Sequence, residues 1–249
     1  MATIKLYRNT KRSVEVTLLN VKALNKSFYE QTTLDLAQSL LGKILVKETS
    51  EGIASGIIVE TEGYLGFSDE ACHSYGHRRT KRTEVMYGPP GHAYTYVMHC
   101  HCLMNIVSGP IDVPEAVLIR ALEPQQGIEL MQKRRGEQKK LTDLTSGPGK
   151  LSQAMGIDKS DYGKPLFLER DGGIQKDNEY SHAQGHKSSK DKEAAEEKSW
   201  IYILEGITPT SIAAGPRIGI ENYGKAKEYP WRFWIPDNPF VSRRSKKAK

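Results

Sequence analysis

The sequence predicts an α+β domain with a largely antiparallel sheet, and three observations support this class. Segments rich in β-branched and aromatic residues, which pack well on a pleated sheet, outnumber segments with helical periodicity. Most predicted strands are separated by turns of hairpin length, which join antiparallel neighbours. The chain has 249 residues, of which 38% are hydrophobic, and this suffices for one large core. No apolar run approaches the ~20 residues of a membrane span.

Local patterns predict each element in chain order. Apolar residues at positions 34, 37, 40 and 41 share one helical face, with Thr32 or Thr33 suited to the N-cap and Gly42 to the C-cap. Residues 43–47 and 53–64 are then predicted to form an antiparallel hairpin. The later predicted elements are a strand that starts at 92 and ends at 108, a strand over 116–121, helices over 124–135 and 151–155, and strands over 200–204 and 231–235.

The main domain is expected to span residues 24–242, and three segments differ from it in composition. Residues 1–23 lack strong periodicity and are interpreted as an N-terminal extension with one strand, from Val14 to Leu19. The stretch 171–199 is polar and charged without a hydrophobic repeat. It cannot bury enough surface to offset its ordering entropy, and we predict a mobile insertion. Residues 243–249 form a basic C-terminal tail.

The densest functional pattern lies between Ile57 and Asn105. If the strand that begins at Ile57 continues, alternation places Glu60, Glu62 and Tyr64 on one face. Two acids and a ring at the end of an apolar strand are costly unless they face a polar cleft or have partners. They fit a general base beside a stacking aromatic ring. The alternative is two acids on a solvated edge strand.

A basic run with hydroxyl groups follows the acids. It spans residues 77–83, and its candidate DNA-binding side chains are Arg78, Arg79, Lys81 and Arg82. Guanidinium, ammonium and hydroxyl groups suit phosphate oxygens. The net charge of +6 and the pI near 9.0 permit polyanion binding without requiring it. Acids, rings and a basic run in one stretch favour a nucleic-acid enzyme over a plain binding surface.

The cysteines indicate a reduced compartment. Cys72, Cys100 and Cys102 are too few and too clustered for a secreted disulfide scaffold, and the N-terminus lacks the apolar core of a secretory signal. An intracellular protein is expected, in the cytoplasm or nucleoid of a bacterium or the nucleus of a eukaryote. On a strand, the four residues from His99 to Cys102 alternate between two faces, so they cannot close a tetrahedral site. No metal is expected.

Several ordered blocks resemble the alkyladenine (3-methyladenine) DNA glycosylase family. The blocks are IVETEGYLG, DEACHSYG, RRTKRTEVMYGPPGHAYTYV, VLIRALEP and SGPGKL, and the resemblance covers roughly residues 24–242. It implies a curved sheet flanked by helices, with a protruding, hairpin-like strand that inserts into DNA. It also implies a monofunctional enzyme of base excision repair that flips alkylated purines, 3-methyladenine first, out of duplex DNA. Hydrolysis of the N-glycosidic bond would leave an abasic site and need no cofactor.

The resemblance assigns catalysis to Glu62, Arg120 and Ile218. One carboxylate can deprotonate water and stabilise an oxocarbenium-like state, and Glu62 matches the family's carboxylate. Arg120 and the main-chain carbonyl of Ile218 match the groups that hold the water. The residues alone leave an alternative, in which Arg120 is buried among apolar neighbours and only forms an ion pair with Glu60 or Glu62.

The resemblance further implies a base pocket with aromatic walls. Tyr64 would stack on one face of the flipped purine, and His73 and Tyr96 on the other. Tyr94 shares a strand face with Tyr96, so one of the two is a candidate core residue. Asn105 matches an asparagine that disfavours unmodified guanine.

The segment that would enter DNA departs from the family pattern. His99 aligns with the tyrosine that fills the hole left by the flipped nucleotide, and Met98 is equally able to insert, as apolar wedges do. The expected partner is double-stranded DNA with alkylated or deaminated purines, bound by a monomer. Two other functions stay open. One is a module that binds lesions without excising them, and the other is a sugar or nucleoside hydrolase that uses Glu60 and Glu62 on small substrates.

Overall fold

The computed structural model describes residues 22–136, 139–167 and 199–242, together with the backbone of residues 3–7 and 13–17. The predicted insertion, apart from Ser199, and the basic tail lie outside the described residues. Near the N-terminus the structure has two strands where the sequence predicted one. They are β1 (Thr3–Tyr7) and β2 (Ser13–Thr17), and they pair antiparallel.

The other elements confirm the α+β class. In chain order they are α1 (Thr33–Ser39), β3 (Ile44–Thr49), β4 (Gly52–Tyr64), β5 (Ala93–Met98), β6 (His101–Ser108), β7 (Glu115–Gln126), α2 (Ile128–Arg135), α3 (Leu141–Leu144), α4 (Pro148–Met155), β8 (Trp200–Leu204), β9 (Ala213–Gly215) and β10 (Arg232–Trp234). Short 3₁₀ turns occupy part of the connection between β4 and β5. No helix in the described part of the chain is both long and apolar enough to cross a membrane.

The long strand β4 organises the curved antiparallel sheet. The sheet runs in the order β5-β6-β7-β4-β10-β9. On one edge β4 pairs with β7, and on the other it pairs first with β3, over residues 52–57, and then with β10, over residues 60–62. Strand β8 extends the sheet beyond β3. The acidic end of β4 therefore lies inside the sheet, between β7 and β10, and the interpretation of a solvated edge strand is wrong.

An irregularity in the pairing of β4 with β7 decides where Arg120 points. Glu60 lies opposite Ala121 and Thr61 lies opposite Ile119, so Arg120 is an extra residue on β7. A bulge of this kind re-aims a side chain and increases the local twist. Arg120 consequently reaches both Glu60 and Glu62 on one face of the sheet.

The two faces of the sheet have different surroundings. One face packs on α1 and α4 in the main core, which includes Ile58, Ile119, Leu36 and Leu151. The opposite face carries two smaller apolar clusters, one containing Val59 with Phe240 and the other containing Met86 with Val107. Along β4, Glu60 and Glu62 follow Val59 and precede Tyr64, so the charged residues lie where the two apolar clusters meet.

The predicted N-cap of α1 is present, but its C-cap is Leu40, and Gly42, the predicted C-cap, lies two residues further on. The Thr32 hydroxyl accepts a hydrogen bond from the Asp35 backbone N–H at 3.3 Å. Gly42 has φ +86°, and a Cβ there would lie 2.2 Å from the Ile207 carbonyl oxygen. A side chain is therefore excluded at this position for both conformational and steric reasons.

Two predicted elements differ in the structure. The segment predicted as one strand from 92 to 108 is a hairpin, in which Met98 pairs with His101 around a two-residue turn at His99 and Cys100. These turn residues have φ 47° and 66°, and turns with positive φ at both positions match the twist of antiparallel strands. The helix predicted from 124 starts at Ile128 instead, because β7 continues to Gln126 and Gly127 then turns the chain with φ 75°.

Candidate active site

A cavity of about 130 Å³ opens on the charged face of the sheet. Its walls come from β4 to β7, from the loop that follows β4, and from the segment between β9 and β10. Residues that line it include Tyr64, His73, Tyr96, Asn105, Arg120 and Ile218, so six of the seven residues predicted to act on substrate meet here. Glu62, the seventh, lies directly behind this lining, since it bonds to Tyr64, Arg120 and Ile218.

Arg120 joins the two acids at the base of the cavity. Its Nε lies 3.3 Å from Glu60 Oε1, and its Nη1 lies 3.3 Å from Glu62 Oε2. Both carboxylates are fully buried, and Arg120 is 7% exposed. Burial by itself lowers the pKa of Arg120, but the Glu62 and Glu60 carboxylates outweigh it and raise that pKa overall. The ion pair that the sequence left as an alternative is thus present with both acids, at a place that also faces the cavity.

Glu62 is oriented by three donors. The Ile218 backbone N–H donates to its Oε1 at 2.8 Å, and the Tyr64 hydroxyl donates to its Oε2 at 2.9 Å, beside Arg120. Burial, with the Glu62 carboxylate second, raises the pKa of Tyr64 well above its usual value, so this hydroxyl stays protonated. An ionised carboxylate offers about four acceptor sites. Three donors therefore hold Glu62 in place and leave its Oε1 able to accept one further hydrogen bond.

Glu60 has partners that the sequence analysis missed. Arg232 Nη1 donates to its Oε1 at 3.0 Å, and the Ser242 backbone N–H donates to its Oε2 at 2.8 Å. Arg120 Nη2 lies 3.4 Å from the Ser242 hydroxyl. The sequence did contain a signal that Arg232 has a buried partner, because this arginine lies between Trp231 and Phe233 in an aromatic strand. The contact of Ser242 with Glu60 uses the backbone N–H, so no side-chain pattern in the sequence predicts it.

Aromatic rings form the upper walls. The His73 ring lies 4.6 Å from the Tyr96 ring at 81°, and its Nδ1 lies 2.8 Å from the Tyr94 hydroxyl. Tyr94 is 2% exposed and so is the more buried of the two tyrosines on this strand. Burial, followed by Arg82 and Arg78, lowers the pKa of His73 to about 4. His73 is consequently uncharged at neutral pH.

Asn105 lies on β6, directly opposite Tyr94 in the hairpin. It is 4% exposed, and its Nδ2 donates to the Tyr94 carbonyl at 3.1 Å. This bond fixes the plane of the carboxamide, because the amide nitrogen must face the main chain of β5. The carboxamide oxygen and the second N–H of Asn105, which lines the cavity, are therefore left for other partners.

The hairpin tip carries exposed apolar surface beside the cavity. Met98 is 46% exposed and also lines the cavity. His99 and Cys100 form the exposed turn, so alternation along a single strand was the wrong description of the four residues from His99 to Cys102. Across the described parts of the chain, no group of three or more His, Cys, Asp or Glu residues is arranged to hold a metal ion.

The basic run is not uniform. Arg79 forms an ion pair with Glu84, with Nη2 to Oε1 at 2.5 Å, and its guanidinium carbon lies 4.3 Å from the Tyr87 ring centre. Arg82 instead lies over Tyr96, at 5.9 Å from the ring centre. Arg78 and Lys81 are exposed. Of the four predicted DNA-binding residues, Arg82 is thus in contact with the cavity wall, and Arg79 already has an acidic partner.

The fold and the site together define an α+β protein with an aromatic cavity built over a buried Glu–Arg–Glu cluster. A sequence model described as methylpurine-DNA glycosylase matches residues 27–239. A protein of Bacillus licheniformis is 52% identical over 87% of this chain and 94% of its own length. Proteins of Bacillus subtilis and Listeria monocytogenes are 47% and 41% identical over 87% and 90% of this chain, and over 95% and 94% of their own lengths. All three carry the name "Putative 3-methyladenine DNA glycosylase".

This chain belongs to the methylpurine-DNA glycosylase family. The family predicted from the ordered sequence blocks is thereby confirmed, and so is the prediction of a monofunctional DNA glycosylase.

Proposed function

We propose that this enzyme releases alkylated purines, 3-methyladenine first, from double-stranded DNA with water activated by Glu62. The observation that carries the proposal is the placement of Glu62. Its carboxylate is fully buried and is held by Arg120, Tyr64 and Ile218 directly behind the lining of an aromatic cavity.

Entry of the base would require the nucleotide to leave the helix, because the glycosidic carbon cannot be reached within a stacked duplex. The cavity volume of about 130 Å³ suits one flat base. Tyr64 on one wall and His73 with Tyr96 on another present the π-surfaces that favour an electron-poor, cationic ring. The neutral state of His73 supports the same preference, since a second positive charge beside the base would repel it.

The reaction then needs little help at the leaving group. When the C1′–N bond breaks, its electron pair goes to the alkylated base, which leaves uncharged, and positive charge develops on the sugar. The Glu62 carboxylate would stabilise that charge and accept a proton from water, whose oxygen forms the new bond to C1′. The free acceptor site on Oε1 is where this water would bind. Arg120 would hold the water together with the Ile218 carbonyl.

We propose that the duplex is held on the side of the hairpin tip. Met98 is our candidate for the wedge that fills the vacated position, because it is exposed and borders the cavity, whereas His99 lies in the turn. Arg78, Lys81 and Arg82 would contact phosphates, and Arg79 would contribute less because Glu84 already neutralises it.

Further parts of the proposal concern partners and location. Deaminated purines would be poorer substrates than alkylated ones, since a neutral base must be protonated to leave and the cavity has a neutral His73. Asn105 would help to exclude unmodified guanine. One chain forms the whole cavity, which supports action as a monomer, and chromosomal DNA as substrate places the enzyme inside the cell.

The experiment is free-base release from methylated duplex DNA by the wild type, Glu62→Gln and Glu123→Gln. We expect Glu62→Gln to lose at least ~10²-fold in rate, as for a positioned general base. Glu123, a part-buried acid on β7 bonded to Asn238, provides the same chemical change away from the cavity, and this control should retain activity.

Each other outcome points to a different function. Full release by Glu62→Gln would move the base elsewhere, to Glu60 first. No release by the wild type, with duplex binding intact, would indicate a protein that binds lesions without excising them. A two-carboxylate hydrolase of small substrates is disfavoured, because Glu60 and Glu62 share one arginine and so do not flank a bond from opposite sides.

A further inference from the structure

A buried ion pair lies behind the aromatic wall of the cavity. Arg217 and Asp69 both have fully buried side chains. Arg217 Nη1 donates to Asp69 Oδ2 at 2.5 Å, and Nη2 donates to Oδ1 at 2.7 Å. Such a bidentate pair fixes the plane and the position of the guanidinium group.

The guanidinium group supports Tyr64. Its carbon lies 4.6 Å from the Tyr64 ring centre, and Nη1 also donates to the Gly63 carbonyl at 2.9 Å. Tyr64 lines the cavity whereas Arg217 does not. Arg217 therefore lies against the side of the ring that faces away from the cavity, and it bonds to the backbone just before that ring.

The carboxylate of the same pair holds the loop after β4. Asp69 Oδ2 accepts from the Leu65 N–H at 3.1 Å, and Oδ1 accepts from the Ala71 N–H at 3.1 Å. Two residues beyond Ala71, this loop supplies His73. The position of His73 relative to Tyr64 thus depends on the turn that Asp69 closes.

The residue that follows Arg217 contacts Glu62 directly. Ile218 donates its backbone N–H to Glu62 Oε1 at 2.8 Å, next to the site where we place the water. A movement of Arg217 would displace this donor, because the two residues share a peptide bond.

We propose that Arg217 and Asp69 form a positioning pair that sets the spacing of the aromatic walls and aims the Ile218 N–H at Glu62. The inference rests on the proposed function and adds residues to it. Neither residue touches the substrate. The pair acts through Tyr64, His73 and Ile218, so its loss should lower the rate of the chemical step more than it weakens substrate binding.

The test compares Arg217→Lys with the matched control Arg134→Lys. Arg134 is also a multidentate structural arginine, with Nη2 to Glu51 Oε2 at 2.8 Å and Nη1 to the Met155 carbonyl at 2.7 Å, but it is remote from the cavity lining. Single-turnover release from methylated duplex should fall about 10²-fold in Arg217→Lys, since a displacement of about 1 Å can cost that much, with duplex affinity retained. Arg134→Lys should keep the wild-type rate. Equal rates in the two variants would overturn the inference.

A second variant and a second signal keep the test decisive if Arg217→Lys does not fold. Asp69→Asn preserves shape and removes the charge. The fluorescence of ethenoadenine in a duplex, followed after rapid mixing and before base release, reports the change in stacking of that base, and we expect Asp69→Asn to lose the change that the wild type shows. An equal change in both proteins would overturn the inference, whereas no change with the wild type would count against the proposed function. Absence of base release by the wild type would refute the proposed function separately.

Discussion

Replacement of Glu60 by glutamine is expected to destabilise the protein strongly, although Glu60 carries no proposed chemical role. Glu60 is fully buried and accepts from Arg120 Nε at 3.3 Å, Arg232 Nη1 at 3.0 Å and the Ser242 N–H at 2.8 Å. Two arginines and two carboxylates are balanced in this cluster. Glutamine keeps the size of the side chain but leaves two guanidinium groups against the single charge of Glu62.

The expected loss in the free energy of unfolding follows from the hydrogen bonds that the glutamine amide cannot accept. One of its terminal atoms becomes a donor, which must face either a guanidinium group or the Ser242 N–H, so one buried donor is left without an acceptor. Removal of one partner from a buried ion pair typically costs about 3–5 kcal/mol. For a chain of this size that corresponds to a fall of roughly 10 °C in the melting temperature.

The measurement is urea unfolding and thermal melting of the wild type, Glu60→Gln and the control Glu123→Gln. Burial raises the pKa of Glu123 despite its hydrogen bond from Asn238, so this acid gains little from its charge and the control should lose under about 1 kcal/mol. A Glu60→Gln protein as stable as the control would refute the idea that the cluster depends on charge balance.

Two further predictions concern the pH dependence of stability and the binding of DNA. Because burial lowers the pKa of His73 to about 4, the unfolded chain binds a proton near pH 6.5 that the folded chain does not, so stability should fall as pH drops from 6.5 toward 4. His73→Gln should flatten this dependence in urea unfolding at pH 7 and pH 5, and unchanged slopes would contradict it. For DNA, Met98→Ala should weaken binding to a lesion-containing duplex more than His99→Ala does. Arg82→Met should weaken it more than Arg79→Met does, and should also reduce the slope of log affinity against log salt concentration by about one. Equal losses within each pair would show that the position of Met98 at the cavity and the ion pair of Arg79 with Glu84 do not matter.

Local sequence signals predicted the elements that depend on near neighbours. The N-cap of α1 at Thr32 and the positive φ of Gly42, two residues after the C-cap Leu40, are predictable because capping hydrogen bonds and backbone conformation are decided within one turn. The hairpin of β3 with β4 is predictable for the same reason. The hairpin at residues 93–108 was read as one strand because its turn contains His99 and Cys100, which lack the usual glycine or asparagine signal.

The sequence predicted the identity of the site residues better than it predicted the contacts between them. The ordered blocks around Glu62, Tyr64, His73 and Arg120 identified the family and named these positions, and the structure brings them together. The pairing of Arg120 with both acids required the bulge on β7. A one-residue offset in strand register leaves no local trace, because it depends on how two distant strands meet.

By itself, then, the sequence determined the α+β class, the family and most of the residues that meet at the cavity, since these follow from local periodicity and from ordered motifs. Tertiary structure alone decided the supporting contacts. Arg232 and Ser242 reach Glu60 across 172 and 182 positions, and Arg217 reaches Asp69 across 148. The physical reason is that buried charges take whatever partner the fold places within hydrogen-bond distance, and that distance is set by sheet pairing and chain reversal.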